Sequence, residues 1–349
     1  MQYFEHNLYQ EEIKKIAANP SMELLRQKSI AITGARGLIG SQLIDSIMYA
    51  NVYNKLQCKI YAIIRNQSAA QKRFQDYTDS KWFELIEADI NRDEINICGD
   101  VEYFIHGASN THPVYYSTKP VETILTNTLG TDRTLRFAVN HHCKRYVFLS
   151  SVEIYGENRG DIEGFTEDYC GYIDCNTLRA GYPESKRTGE ALCQAYIRQY
   201  GLECVIPRIA RSYGPGLLEE DSKALSQFIK KGVSAEDIVL KSEGKQYYSY
   251  AYAADVVDAI ITLIGKGANG EAYNIVSQNS DITLRKLSEL IAKEVETKVV
   301  YDIPDDKETE GYSKATKALL SAEKIRKIGW SSNYSITDGI RRTIEILKG

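Results

Sequence analysis

In the stretch GYPESKRTGEAL, Tyr182 stands four residues ahead of Lys186. On a helix that spacing puts both side chains on one face, a turn apart. An ammonium beside a phenol favours the phenolate, lowering the tyrosine pKa toward that of a general base. Pro183 suits the first helical position, where its missing N–H costs no hydrogen bond. The chemistry of such a pair is proton transfer to or from a hydroxyl. Tyr-x-x-x-Lys is a common spacing, so its weight depends on what else the chain carries and in what order.

A second candidate is SIAITGARGLIGSQLID, where Gly34, Gly37 and Gly40 lie between an apolar strand-like run and a helical pattern. In that context Gly34 permits a tight turn, Gly37 lets backbone approach a diphosphate, and Gly40 lets helix and strand pack closely. The expected ligand is a nicotinamide dinucleotide, held also by Arg36, Leu38 and Ile39 of the same loop. FELIEAD ends at Asp89, a carboxylate placed to accept from an adenine amino group, with Ile90 beside it. At the end of IYAIIRN stands Arg65, where NAD binders commonly offer an acid to the ribose hydroxyls. A guanidinium there favours a 2′-phosphate, so the chain leans to NADP while NAD stays open.

The elements that must position these groups follow from periodicity. KSIAIT, CKIYAII, FELIEAD, VEYFIHGA, RYVFLSS and ECVIPRIA are short apolar runs of buried-strand type. Helical patterns at 43–48, 123–140 and 184–200 alternate with them, which predicts βαβ units and a doubly wound α/β fold, a parallel Rossmann sheet. Residues 1–27 read as a helical extension broken at Asn19-Pro20, and 28–211 as the dinucleotide-binding domain carrying the catalytic candidates. Residues 212–349 read as mainly a smaller substrate-binding lobe, some segments returning to the core.

Composition narrows the function. A net charge of −4 with dispersed basic residues removes the footprint of a nucleic-acid binder. No apolar run has the length of a bilayer span, and the acids in MQYFEHNLYQEEIKK do not suit a secretory signal, so a cytoplasmic protein is expected. Seven cysteines without CxxC spacing read as reduced thiols, and no metal site is expected. His141 and His142 in NHHCKRYVF read as surface residues of a turn.

The glycine loop, Asp89, HGAS, FLSSVEIYG and YPESK, in that order, resemble the extended short-chain dehydrogenase/reductases that modify nucleotide sugars, over about 28–330. The resemblance implies that Ser151 hydrogen-bonds the sugar C4 oxygen, that Tyr182 removes the C4 hydroxyl proton, and that Lys186 holds the nicotinamide ribose. It implies a supporting role for Asn127 in NTLGT, places Ala108 at the cofactor and Ser109 at the substrate, and points to a homodimer through a four-helix contact. The chain also departs from the pattern. Between Ser151 and Tyr182 lies an inserted segment, RGDIEGFTEDYCGYIDCNTLRA; Arg211 replaces the usual Asn, Tyr248 a phosphate-binding Arg, and Gly216 the Arg of decarboxylases. Arg211 and Tyr248 are expected at the substrate.

Oxidation at C4 acidifies C5–H and makes a C6 carboxylate a good leaving group, so one hydride step opens several outcomes. Glu153 follows Ser151 by two, which on a strand puts both on one face. Val152 replaces the acid that dehydratases of this type show. ASNTHPVYYSTKPVETILTNTLGT and YPESKRTGE look nearest to the decarboxylase branch. A nucleotide-sugar decarboxylase or epimerase, UDP-glucuronate decarboxylase-like, is expected first and a 4,6-dehydratase next. A keto-sugar reductase using NADPH and a non-catalytic dinucleotide sensor remain as alternatives.

Overall fold

In the computed structural model, residues 2–111, 115, 118–302 and 316–349 are described. His112, Pro113, Val114, Tyr116 and Ser117 of the decarboxylase-like stretch lie outside them.

Short runs of β-branched and aromatic residues form the central sheet: β1 (Ser29–Thr33), β2 (Lys59–Ile64), β3 (Phe83–Glu87), β4 (Tyr103–His106), β5 (Arg145–Phe148), β6 (Ser150–Ser151) and β7 (Cys204–Ile209). The sheet runs 3-2-1-4-5-7 and is closed on the far side by a strand from later in the chain, with β6 also on β7. All these pairings are parallel. Parallel strands are buried on both faces, hence the continuous apolar runs. Ile30 and Ile32 of β1 enter one core and Ala31 the other, as a period of two requires.

The crossovers are helical. After α1 (Asn7–Ala17) come α2 (Leu38–Tyr53), α3 (Gln67–Arg73), α4 (Pro120–Asn140) and α5 (Gly181–Tyr200). The chain order reverses between β1 and β4, and at such a switch point the loops leaving the strand ends part to form a crevice. In register, Thr33 pairs with Ile63 and with His106, so the glycine loop, Arg65 and residues 107–109 emerge at one edge.

After β7, the segments β8 (Arg211–Tyr213), α6 (Ala224–Val233), β9 (Ile238–Leu240), β10 (Tyr247–Tyr248) and β11 (Tyr250–Tyr252) cap that edge. Then α7 (Ala253–Lys266) and β12 (Ala272–Ile275) return to the main sheet, β12 pairing with β7.

The N-terminal extension is tied in by buried polar contacts. Tyr9 Oη donates to Asp45 of α2 at 2.5 Å, while Glu12 accepts from Gln42, Tyr252 and Arg342 at 3.2, 2.7 and 2.7 Å. The inserted segment 159–180 bridges to the C-terminal part, with Phe165 buried beside Leu320 and Glu167 accepting from the Asn274 amide at 2.8 Å. Among the described residues no helix is long and apolar enough to cross a membrane.

Candidate active site

A cavity of about 1050 Å³ runs from the glycine loop to the capping segments. Its cradle is built by close approach. Gly34 has φ +69, and a Cβ there lies 2.7 Å from the Gly107 carbonyl group; a Cβ on Gly40 lies 2.4 Å from Gly34 O. Neither position admits a side chain. Gly37 caps the N-terminus of α2, and Leu38 and Ile39 of its first turn line the cavity. The dinucleotide cradle read from the sequence is therefore sterically enforced, and its residues fit a diphosphate.

Around it the cavity is lined by Gly34, Arg36, Gly37, Leu38, Ile39 and Gly40, by Arg65 at the end of β2, and by Asp89 and Ile90 after β3. Asp89 accepts from the Asn91 amide at 3.0 Å, and Arg36 reaches Glu220 of the capping region at 3.5 Å. Ala108 and Ser109 follow β4; the Ala108 amide donates to Thr33 Oγ1 at 3.2 Å. Thr33 also meets His106, whose imidazole burial holds down to about 3, so it stays neutral.

Tyr182 and Lys186 share the buried face of α5. The helix starts at Gly181, so Pro183 is its third residue rather than its first, still within the turn whose amides need no intrahelical partner. Burial pushes the Tyr182 phenol up to about 12, against the opposing hydrogen bond from Ser151. Desolvation sets the direction, and the opposing contributions come from Ser151, Arg179 and Ser109 rather than from the Lys186 ammonium expected from the sequence. Lys186 is itself desolvated, down to about 8, and its Nζ donates to Leu149 O at 2.8 Å.

Asn127, for which a supporting role is expected, does not line the cavity. It is buried in α4, accepts from Ser109 Oγ at 2.7 Å and donates to Ser185 Oγ at 2.9 Å. Its amide thus joins the β4 loop to the helix of Tyr182 and Lys186.

Glu153 also departs from expectation. Strand β6 ends at Ser151, and 152–155 form a 3₁₀ turn capped by Ser151, whose hydroxyl accepts from the Glu153 amide at 3.2 Å. The turn, not strand alternation, brings both side chains to the cavity. Arg179 Nη2 donates to Glu153 Oε2 at 2.8 Å, and Arg211 Nη2 lies 3.7 Å from Oε1. The Arg211 guanidinium sits 3.6 Å from the Tyr248 ring centroid.

Arg179 was not singled out by sequence reasoning. Its signal was present: it comes three residues before Tyr182, the spacing of one helical face, at the end of the inserted segment. What hid it was the irregular chain before α5, which has no periodicity to read.

A family profile described as the NAD dependent epimerase/dehydratase family matches residues 30–276, which include the glycine loop, Ser151, Glu153, Tyr182, Lys186 and Arg211. The chain belongs to that family. It is 28% identical over 315 residues to UDP-glucuronic acid decarboxylase 6 of Arabidopsis thaliana, covering 89% of this chain and 86% of the relative. To UDP-glucuronic acid decarboxylase 1 of Xenopus tropicalis it is 26% identical over 325 residues, covering 92% and 72%. The fold of this family member is shared with UDP-glucose 4-epimerase of Thermotoga maritima, at TM-score 0.76 and 21% identity over 91% of this chain and 98% of that one. It is shared equally with UDP-glucuronic acid 4-epimerase of Bacillus cereus, at TM-score 0.76 and 19% identity over 92% and 99%.

Proposed function

We propose that this chain modifies a nucleotide-linked sugar by oxidation at C4, and that it is a decarboxylase or epimerase of UDP-glucuronate type. The observation that carries the reading is the meeting of Ser151, Glu153, Tyr182 and Lys186 in one cavity with a glycine loop in which Gly34 and Gly40 admit no side chain. The dinucleotide, when bound, supplies the acceptor and later the donor of a hydride. Tyr182 takes the proton of the 4-hydroxyl, with Ser151 hydrogen-bonded to the same oxygen. Lys186, at about 8, is poised to hold the cofactor ribose and to add positive charge beside the phenol.

Beside the new ketone, a C6 carboxylate leaves as carbon dioxide, its bonding pair passing into an enolate that takes a proton at C5 before hydride returns to C4; or the ketone turns over and C4 is reduced on its other face. Val152 in place of a dehydratase acid, together with the decarboxylase relatives, favours these two outcomes over loss of water. Arg65, exposed at the cavity rim, supports a preference for NADP over NAD. The exposed apolar stripe Val121, Ile124, Leu125 and Leu129 on α4 supports a homodimer through α4 and α5.

The deciding experiment incubates the purified protein with UDP-, dTDP-, GDP- and CDP-sugars, hexoses and hexuronates, and reads product masses. Loss of carbon dioxide marks a decarboxylase, and unchanged mass with an inverted C4 an epimerase. Loss of water from a hexose, or consumption of NADPH with a gain of two hydrogens, refutes the reading.

A further inference from the structure

The arginine that replaces the usual Asn is held incompletely. Stacking on Tyr248 fixes the plane of the Arg211 fork. Its Nη2 feels Glu153 at 3.7 Å, beyond a hydrogen bond. Its Nη1 is buried and has no hydrogen-bond partner among the described residues. Burying an unmatched donor is costly, and that cost is removed when a bound group accepts from it. Glu153 keeps a direct bond from Arg179 at 2.8 Å, so it stays paired if Arg211 turns to a ligand.

We propose that Arg211 recognises the C6 carboxylate of a nucleoside diphosphate hexuronate, exchanging its long contact with Glu153 for a two-pronged contact with substrate. The proposal rests on the C4 chemistry inferred above. Position selects the group. Glu153 follows Ser151 by two residues, and Ser151 is hydrogen-bonded to Tyr182, so Arg211 faces the surroundings of the reacting C4. In a hexose ring C5, which bears C6, adjoins C4, whereas the diphosphate leaves from C1 across the ring. An anion that meets a guanidinium beside Glu153 is therefore on C6. Positive charge for the diphosphate is available elsewhere, since Lys241 lines the capping side of the cavity. The absence of an arginine at Gly216 leaves this recognition to Arg211. A neutral hydroxymethyl offers the fork one weak acceptor where a carboxylate offers two charged ones, which makes the residue a determinant of specificity.

The test measures binding by calorimetry in a Tyr182→Phe parent loaded with dinucleotide, so that ligand is not consumed, using UDP-glucuronate, UDP-glucose and UDP as probes. Arg211→Gln should weaken UDP-glucuronate about 10- to 100-fold and the other two less than about threefold. Arg211→Lys keeps the charge but not the fork, and should lose at least about threefold for the uronate alone; it carries the comparison if the glutamine protein does not fold. Equal losses for all three probes would assign Arg211 to the diphosphate and overturn the proposal, as would no loss for any. A parent that binds none of the probes overturns the UDP-sugar reading underneath. A parent that binds the uronate while both variants bind it equally well removes Arg211 and leaves the C4 chemistry standing.

Discussion

The two ends of the cavity are built differently. At the sheet end, the groups that hold the base in place are matched within the protein, Lys186 with Leu149 O, Asn127 with Ser109 and Ser185, His106 with Thr33 and Thr131, although Asn91 Oδ1 and Asn110 Nδ2 on the cavity wall have no hydrogen-bond partner among the described residues. At the capping end, Arg211 rests on an aromatic ring with a long ion pair and an unmatched nitrogen, on strands of two or three residues. A base must stand within hydrogen-bond reach of its proton before the reaction begins, so its position is fixed by protein contacts alone. Recognition has no such demand, and its last contacts are left to the ligand.

The largest effect that sharpens this contrast is expected at Tyr182. Tyr182→Phe keeps the ring and its packing, and should lower kcat about 10²- to 10⁴-fold while dinucleotide titration is unchanged. Near-normal turnover would make the sheet end a structural core and erase the difference between the two ends.

Lys186 tests the cost of that burial. Its folded value of about 8 lies below its ordinary 10.5, so the native state binds fewer protons across that interval. The penalty is therefore full below pH 8 and fades as pH rises to 10.5. Relative to Lys186→Met, the wild type should gain of order 2 to 3 kcal/mol between pH 7 and 10.5 in urea unfolding. A difference flat with pH would mean that the ammonium is not desolvated.

Glu153 stands where the two ends meet. If its carboxylate acts only after the ketone forms, Glu153→Gln should still reduce the cofactor in a single turnover. Product should then appear about 10- to 100-fold more slowly, with a 4-keto sugar detected by mass. Unchanged turnover without a stalled ketone would leave Glu153 as a bracket for Arg179 and Arg211.

The smallest effect belongs to Arg65 at the solvent rim. Arg65→Ala should weaken NADP by about 1 kcal/mol, less at high salt, and leave NAD unaffected. Equal changes for both dinucleotides would detach Arg65 from any 2′-phosphate.

By itself the sequence determined the sheet end. Its signals are local: apolar runs of strand length, glycines between a strand and a helix, and a tyrosine and lysine one turn apart. Backbone sterics and helical periodicity turn such patterns directly into geometry. The positions of Gly34, Tyr182 and Lys186 were legible for that reason. The setting of the Tyr182 proton was not, because the pKa depends on how much water the folded chain excludes, and desolvation dominates it. For Asn127 the motif and a supporting role were legible but its partners were not, since they lie on separate elements that only packing joins. Tertiary structure alone decided the capping end. Arg179, Glu153, Arg211 and Tyr248 come from an insertion, a 3₁₀ turn and two very short strands, with no periodicity to announce them. Their meeting depends on long-range docking of segments far apart in the chain, which is the information that no local spacing carries.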